Sequence, residues 1–460
     1  MIRVFSHWVY WKTILRMVFD LVFTVVCVIS PVLLWGQSEK VEVENLVVFA
    51  VAFALAMVLF NAWLGLYNRR RGSSAEQIRS RAVLSLYLSI PFAYGVFSLL
   101  SNADDNQRIL VLSALFALFL TLLHRAYSLR RHNAKALTRR VLVFGAGKEA
   151  SQVGDVLLDT DPDIEIVGFY PTPNDAGMTI PGQRILPREK PLSDTVAALN
   201  VDEIIVAVLE RRGGVMPLRE LLDCKMSGVR VLDLASYFER ALGQIRLDSL
   251  KAGWLIFGDG FRQGWGRTLI KRVFDIVAAS ILLLLATPVM LLTTLLIILE
   301  DGFPVFYRQE RVGRNGRTFN VIKFRSMRKD AESDGTPKWA AANDNRVTRV
   351  GRIIRRLRID ELPQLFTVLA GDMSLVGPRP ERPYFVDRLT REIPFYAVRH
   401  SVKPGVTGWA QVSYHYGASV DDSLQKLQYD LYYVKNHTLF LDIVILFETV
   451  GVVLTGKGAQ

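Results

Sequence analysis

The chain has 460 residues, half of them hydrophobic, with 56 Lys and Arg against 44 Asp and Glu and a formal net charge of +12. A positive mean hydropathy is high for a water-soluble protein and points to a membrane, while the basic excess suits both positive-inside loops and anionic partners such as lipid headgroups or phosphorylated substrates. Two cysteines and six scattered histidines exclude a disulfide framework and a His-ligated transition metal, and no RNA-recognition or zinc-finger signature argues for nucleic acid; a hard cation held by oxygens stays open.

Four apolar runs open the sequence, at 13–35, 44–66, 81–100 and 108–126, each near the ~20 residues that a spanning helix needs. The first is too long for a signal-peptide core and lacks a small-x-small cleavage site, so it reads as a retained anchor. The loops alternate in charge: Gln37–Asn45 is acidic, Arg69–Arg81 basic, Ser101–Gln107 acidic and His124–Arg140 basic. Residues 1–130 therefore predict a four-helix transmembrane bundle with both ends in the cytoplasm.

From Val141 the composition changes. Strands at Val141–Phe144, Ile164–Tyr170, Glu203–Val208 and Val229–Leu232 alternate with helical segments, which predicts a Rossmann-like parallel α/β domain over 138–250. Gly145, Gly147 and Ala150 follow the first strand like a dinucleotide fingerprint, but no acidic residue closes the second strand. A fold with a degraded or regulatory nucleotide site is an equal reading. Residues 251–267 are a glycine- and aromatic-rich linker.

An uncharged run, Ile276–Leu299, is long enough to cross a bilayer. Thr287-Pro288 interrupts it, and basic residues flank both sides: Lys271 and Arg272 before, Arg308 and Arg311 after. A helix–break–helix that dips into the inner leaflet and returns, over 268–300, accounts for both features. The alternative is a fifth spanning helix. The last apolar segment, Thr438–Leu454, carries Asp442 and Glu448 and reads as a packed or interfacial helix.

The C-terminal third is dense in charge, glycine and proline. Asp360 and Glu361 stand side by side after an arginine run, and Pro363 suits a helix start. Adjacent carboxylates need arginines or a divalent cation to stay ionised together. One anion then serves as nucleophile while the other holds a metal. Lys323-Phe324-Arg325-Ser326-Met327 alternates like a strand; Gly377-Pro378-Arg379-Pro380 fixes an arginine between prolines; Arg399 opens a run through Pro404-Gly405 to Gln411. Arginine's planar fork suits phosphate.

Residues 268–460 resemble the bacterial sugar transferases that are monotopic phosphoglycosyl transferases. The resemblance rests on Lys271-Arg272-x-x-Asp275, Thr287-Pro288 (often Ser-Pro in the family), Lys323–Met327, Asp360-Glu361-Leu362-Pro363-Gln364, Gly377–Pro380 and Pro404–Gln411, all in family order. The whole layout is similar to the large polyprenyl-phosphate hexose-1-phosphate transferases of exopolysaccharide, capsule and O-antigen assembly. That likeness implies transfer of a sugar-1-phosphate from a UDP-sugar to undecaprenyl phosphate, releasing UMP. It implies Asp360 as the nucleophile that carries a covalent phosphosugar, Glu361 as a ligand of Mg²⁺, and Arg355, Arg379 and Arg399 as phosphate contacts. It also implies Lys271, Arg272 and Asp275 near the acceptor headgroup, with Asp275 structural rather than catalytic. The expected setting is the bacterial inner membrane, multi-pass, with the catalytic domain on the cytoplasmic face; a homodimer through the bundle or the Rossmann-like domain is consistent with it. A membrane-anchored nucleotide-sugar dehydratase or epimerase is the alternative. It needs a Tyr or Met four residues before a Lys, and the chain has none. A nucleotide-binding membrane sensor is a second alternative, but it leaves the acidic pair without a purpose.

Overall fold

The computed structural model describes residues 2–4, 7–9, 11–34, 43–67, 138–160, 164–175, 185–208, 216–247, 260–261, 264–328, 346–414 and 419–455, with isolated residues between 81 and 116. It divides into two units: Met1–Ile2 with Val9–Tyr237, and Arg3–Trp8 with Phe238–Gln460. The division falls at 237/238, earlier than the linker expected at 251–267, because the chain from Phe238 onward belongs with the C-terminal residues. Two short strands open the chain, β1 (Ile2–Val4) and β2 (His7–Val9).

In the first unit, two of the four apolar runs are helical over their described residues: α1 (Trp11–Leu34) and α2 (Val43–Trp63). The third run is represented by the apolar helix Val83–Phe92. Most of the fourth, 108–126, lies outside the described residues. Thr13–Ser30 in α1 is long and apolar enough to span a bilayer. Asp20 within it is not left bare: the Tyr67 hydroxyl donates to its carboxylate at 2.8 Å, as a buried ionisable group requires.

The α/β portion follows the predicted strands closely. β3 (Arg139–Phe144), β4 (Ile164–Tyr170), β5 (Glu203–Val206) and β6 (Arg230–Asp233) form a parallel sheet in the order β4-β3-β5-β6. The helices α3 (Lys148–Thr160), α4 (Leu192–Ala198) and α5 (Leu218–Met226) connect them, and α6 (Leu234–Leu242) follows. Leu142, Phe144, Ile204 and Val206 are apolar and buried because a parallel sheet is covered on both faces.

The second unit is organised around α7 (Trp265–Asp301), 37 residues long. Helix runs without interruption through Pro288, where a break was expected. The Thr287 hydroxyl bonds back to Leu283 O at 2.7 Å, the i−4 back-bond that threonine makes inside a helix; the carbonyl freed by the proline is that of Leu284. After α7 come the antiparallel hairpin β7 (Phe306–Val312) and β8 (Thr318–Phe324), then α8 (Arg349–Arg356) and α9 (Gln364–Ala370). β9 (Ser374–Val376), α10 (Pro383–Glu392) and β10 (Gly405–Thr407) follow, with β9 and β10 pairing in parallel. The chain closes with α11 (Trp409–Ser413), α12 (Val420–Asn436) and α13 (Leu439–Thr455). Leu365, Val368, Leu375, Leu389, Leu431 and Tyr432 form the core that these elements share.

Both ends of α7 are fixed within the second unit, the first against this core and the second against a smaller cluster of Ile297, Val305, Phe324 and Ile354. At its start, Lys271 Nζ pairs with the buried Asp442 of α13 at 2.7 Å. Arg272 donates to Val368 O and Leu369 O, both at 2.7 Å, satisfying the last carbonyls of α9. Asp275 accepts from Ser374 Oγ at 3.0 Å and Leu375 N at 3.2 Å. At its end, Glu300 accepts from Arg349 N at 2.7 Å and Val350 N at 2.8 Å, placing an anion on the positive end of α8. Asp301 pairs with Arg325 at 3.0 Å. Between the ends, Leu284, Leu285, Leu291, Leu292 and Leu299 are exposed. Each such side chain gives up roughly 1.5–3 kcal/mol by staying in water, so this face is suited to lipid.

Candidate active site

Asp360 and Glu361 lie in a single 3₁₀ turn, Ile359–Glu361, between α8 and α9. They are 8% and 7% exposed. The residue before them, Arg358, has φ +58°. That left-handed conformation costs a non-glycine residue roughly 1–2 kcal/mol, and here it turns the Arg358 guanidinium to within 3.8 Å of Glu361 Oε1.

Two further cations converge on the same oxygen. Lys323 Nζ, from β8, donates to Glu361 Oε1 at 2.9 Å, and Arg379 Nη2 donates to it at 2.7 Å. Burial by itself pushes the Glu361 carboxyl up, but Arg379, Lys323 and Arg358 together overrule it and hold it well below the usual carboxylate range. Burial also draws the Lys323 ammonium below the usual lysine range, with Glu361 opposing. Asp360 goes the other way. Burial first, and the Glu361 charge second, push it up to about 6, with Lys323, Arg358 and Arg379 offsetting only part. Adjacent acids have thus been driven apart, one firmly anionic and one near neutrality, a pattern that marks reactive sites.

Asp360 Oδ1 is buried without a hydrogen-bond partner. An orphaned buried acceptor calls for something to complete it. Among the described residues no group of three or more His, Cys, Asp and Glu could hold a metal. A metal here would therefore rest on the acidic pair alone, which suits Mg²⁺, an ion that takes one or two carboxylates plus substrate oxygens and water. Asp360 Oδ1 is open, and the three cationic contacts of Glu361 all involve Oε1, so the residues fit such an ion.

The other residues singled out by the sequence are placed differently from one another. Arg379 reaches the pair. Arg355, half-buried in the last turn of α8, makes no described contact with the pair; Arg358, three residues on, does. Arg399 is buried, and its guanidinium is held by Asp430, Tyr396 and the Arg379 carbonyl. Lys271, Arg272 and Asp275, grouped by the resemblance around a lipid headgroup, turn inward to Asp442, to α9 and to Ser374 and Leu375. The partners of Asp275 are a hydroxyl and an amide of the protein.

Lys323 and Arg358 were missed. The signal for Lys323 was its place in the Lys323–Met327 cluster; nothing in spacing alone links β8 to a turn 37 residues later. Arg358 was hidden in a run of arginines, where only the backbone conformation separates it from its neighbours.

In the α/β portion, Gly145 has φ +117°, and a side chain there would press on Ala207 O at 3.1 Å and Val208 Cγ2 at 3.2 Å. Its conformation thus requires glycine. Gly147 leads into α3, and Ala150 is buried in that helix. The amide of Ala146, at the heart of this loop, donates to Asp175 Oδ2 at 3.0 Å; the same oxygen accepts from Thr172 N at 2.8 Å and Thr172 Oγ1 at 2.7 Å.

A sequence profile described as bacterial sugar transferase matches residues 266–456. The UDP-N-acetylgalactosamine-undecaprenyl-phosphate N-acetylgalactosaminephosphotransferase of Aeromonas hydrophila is 46% identical over 245 residues, which cover 53% of this chain and 56% of that protein. The chain thus spans little more than half the length of this relative. An uncharacterized sugar transferase of Bacillus subtilis, EpsL, is 43% identical over 192 residues, 42% of this chain and 91% of that protein. The UDP-galactose-lipid carrier transferase of Erwinia amylovora is 27% identical in an alignment covering 91% of this chain and 97% of that protein.

Proposed function

This chain belongs to the bacterial sugar transferase family, and from that premise we propose that it transfers a sugar-1-phosphate from a UDP-sugar to undecaprenyl phosphate at a bacterial inner membrane. The observation that carries the proposal is the divided acidic pair: a cation-saturated Glu361 beside an Asp360 whose buried oxygen has no partner. Similarity to proteins named for UDP-sugar and undecaprenyl-phosphate substrates supports the choice of donor and acceptor.

The Asp360 carboxylate attacks the β-phosphorus of the donor. The bond from that phosphorus to the bridging oxygen breaks, and UMP leaves with the electron pair. An oxygen of undecaprenyl phosphate then attacks the same phosphorus and frees the aspartate. Dividing one displacement into two lets donor and acceptor use one pocket in turn. Lys323, Arg358 and Arg379 hold positive charge around the pair before substrate arrives, and such fixed charge is the main lever in phosphoryl transfer. Glu361 and the open oxygen of Asp360 are the groups that would hold Mg²⁺, which when bound neutralises the diphosphate.

The anchoring of α7 supports a re-entrant placement. A straight helix of 37 residues extends about 55 Å, enough to put its ends on opposite sides of a bilayer. Yet Lys271, Arg272 and Asp275 at one end, and Glu300 and Asp301 at the other, all bond to elements of the unit that holds the acidic pair. A domain with so many charged groups lies on one side of a membrane, so both ends belong there, on the cytoplasmic face. This step would begin an exopolysaccharide, capsule or O-antigen type of glycan. The test is UMP release by the purified chain from a panel of UDP-sugars, with undecaprenyl phosphate and Mg²⁺. Release that requires the lipid is expected; none with any donor contradicts the proposal.

A further inference from the structure

The Pro378-Arg379-Pro380 segment poses a problem of attachment. Two of its three residues have no backbone N–H, so it is held by its carbonyls instead. Gly405 N donates to Pro378 O at 3.0 Å, Arg399 Nη2 to Arg379 O at 2.9 Å, and Arg311 Nη1 to Pro380 O at 3.2 Å. Three consecutive acceptors are thus pinned, two of them by guanidinium groups.

Arg399 is itself fixed from behind. It is 5% exposed. Its Nε and Nη2 reach Asp430 Oδ2 at 3.0 and 2.7 Å, and its Nη1 donates to the Tyr396 hydroxyl at 2.8 Å. Asp430 sits on α12, beside the core residue Leu431. A guanidinium is planar and rigid, so partners at all three nitrogens set its orientation completely. The one main-chain oxygen it holds outside that network belongs to Arg379, whose side chain reaches Glu361 at 2.7 Å.

Resting on the phosphotransferase reading of the acidic pair, we infer that Arg399, backed by Asp430 and Tyr396, is a positioning residue that aims Arg379 at Glu361 and does not itself bind substrate phosphate. Its charge is matched by a buried carboxylate. Lysine in its place keeps the charge but cannot bond Asp430 and the Arg379 carbonyl in one plane.

The test is a double-mutant cycle on the full chain in lipid nanodiscs, with Arg399→Lys, Arg379→Ala and the combination. Arg399→Lys is expected to lower kcat roughly 10- to 100-fold, the scale of a lost charge-assisted hydrogen bond, with KM for the UDP-sugar close to wild type. In the Arg379→Ala background it is expected to cause no further loss, because the two act as one unit. Tyr396→Phe, a milder change, should show the same pattern in smaller measure. Losses that multiply, or a KM that rises in step with the fall in kcat, overturn the inference. A wild-type chain that releases no UMP sinks the transfer reading alone. The brace is then judged by the ¹⁵N resonance of Arg379 Nε, which should move in Arg399→Lys; an unmoved signal overturns it.

Discussion

The glycine loop after β3 and the acidic turn before α9 both carry sequence signals for phosphate, and the structure treats them in opposite ways. In the loop, the amide of Ala146 that would face a phosphate is already bonded to the carboxylate of Asp175. An anion of the chain's own occupies that position, and it also takes the amide and hydroxyl of Thr172. In the turn, the imbalance is left standing. Three cations surround Glu361, and the neighbouring Asp360 keeps a buried oxygen with no donor. A finished turn needs nothing further, whereas an unfinished one is stable only with a substrate or ion in prospect. The contrast separates a motif's shape from its chemistry.

The sharpest way to break the comparison is to neutralise Asp360. Asp360→Asn should reduce turnover about ten-thousand-fold or more, as loss of a nucleophile does, with membrane insertion unchanged. Steady-state UMP release checks it, and a rate within tenfold of wild type removes Asp360 from the chemistry. Glu361→Gln should cost roughly 100- to 1,000-fold, the scale of one lost preorganised charge, and should raise the Mg²⁺ concentration for half-maximal rate. An unchanged Mg²⁺ titration excludes Glu361 as a ligand.

The pH profile sharpens the account further. Burial and the Glu361 charge raise Asp360 to about 6, and the nucleophile must be ionised. The rate should therefore be full well above 6 and fall about tenfold per unit below the midpoint. A bound Mg²⁺ would move the midpoint down, never up, so an acid limb centred above 7 contradicts the assignment. The smallest effect is expected at the other member of the comparison. Asp175→Ala should lower stability by about 1–3 kcal/mol through the donors it leaves unpaired, seen as a drop in Tm, while UMP release stays at the wild-type rate. A large loss of turnover would mean that the glycine loop takes part in the reaction.

Much of this was legible in the sequence, for reasons that differ by region. β3 to β6 were found because buried parallel strands are continuous apolar runs with sharp edges, and Ile164–Tyr170 was placed to the residue. The acidic pair, Arg379 and the proline-framed segments were found because prolines and paired charges are rare enough to stand out locally. What escaped was long-range. Lys323 meets Glu361 only because β8 folds under the turn, and Arg399 meets Asp430 of α12 and the Arg379 carbonyl across the fold. Spacing along the chain carries neither fact. The expected interruption at Thr287-Pro288 also did not appear: α7 continues through the proline, which costs it one backbone bond, to Leu284 O.

The most direct measurement uses donor labelled in the β-phosphate, incubated with the enzyme and Mg²⁺ in the absence of lipid acceptor, followed by acid quench and peptide mapping. The account predicts one labelled phosphosugar on the peptide bearing Asp360, which disappears when undecaprenyl phosphate is added. Label on a different residue, or turnover with no label at any time, contradicts it.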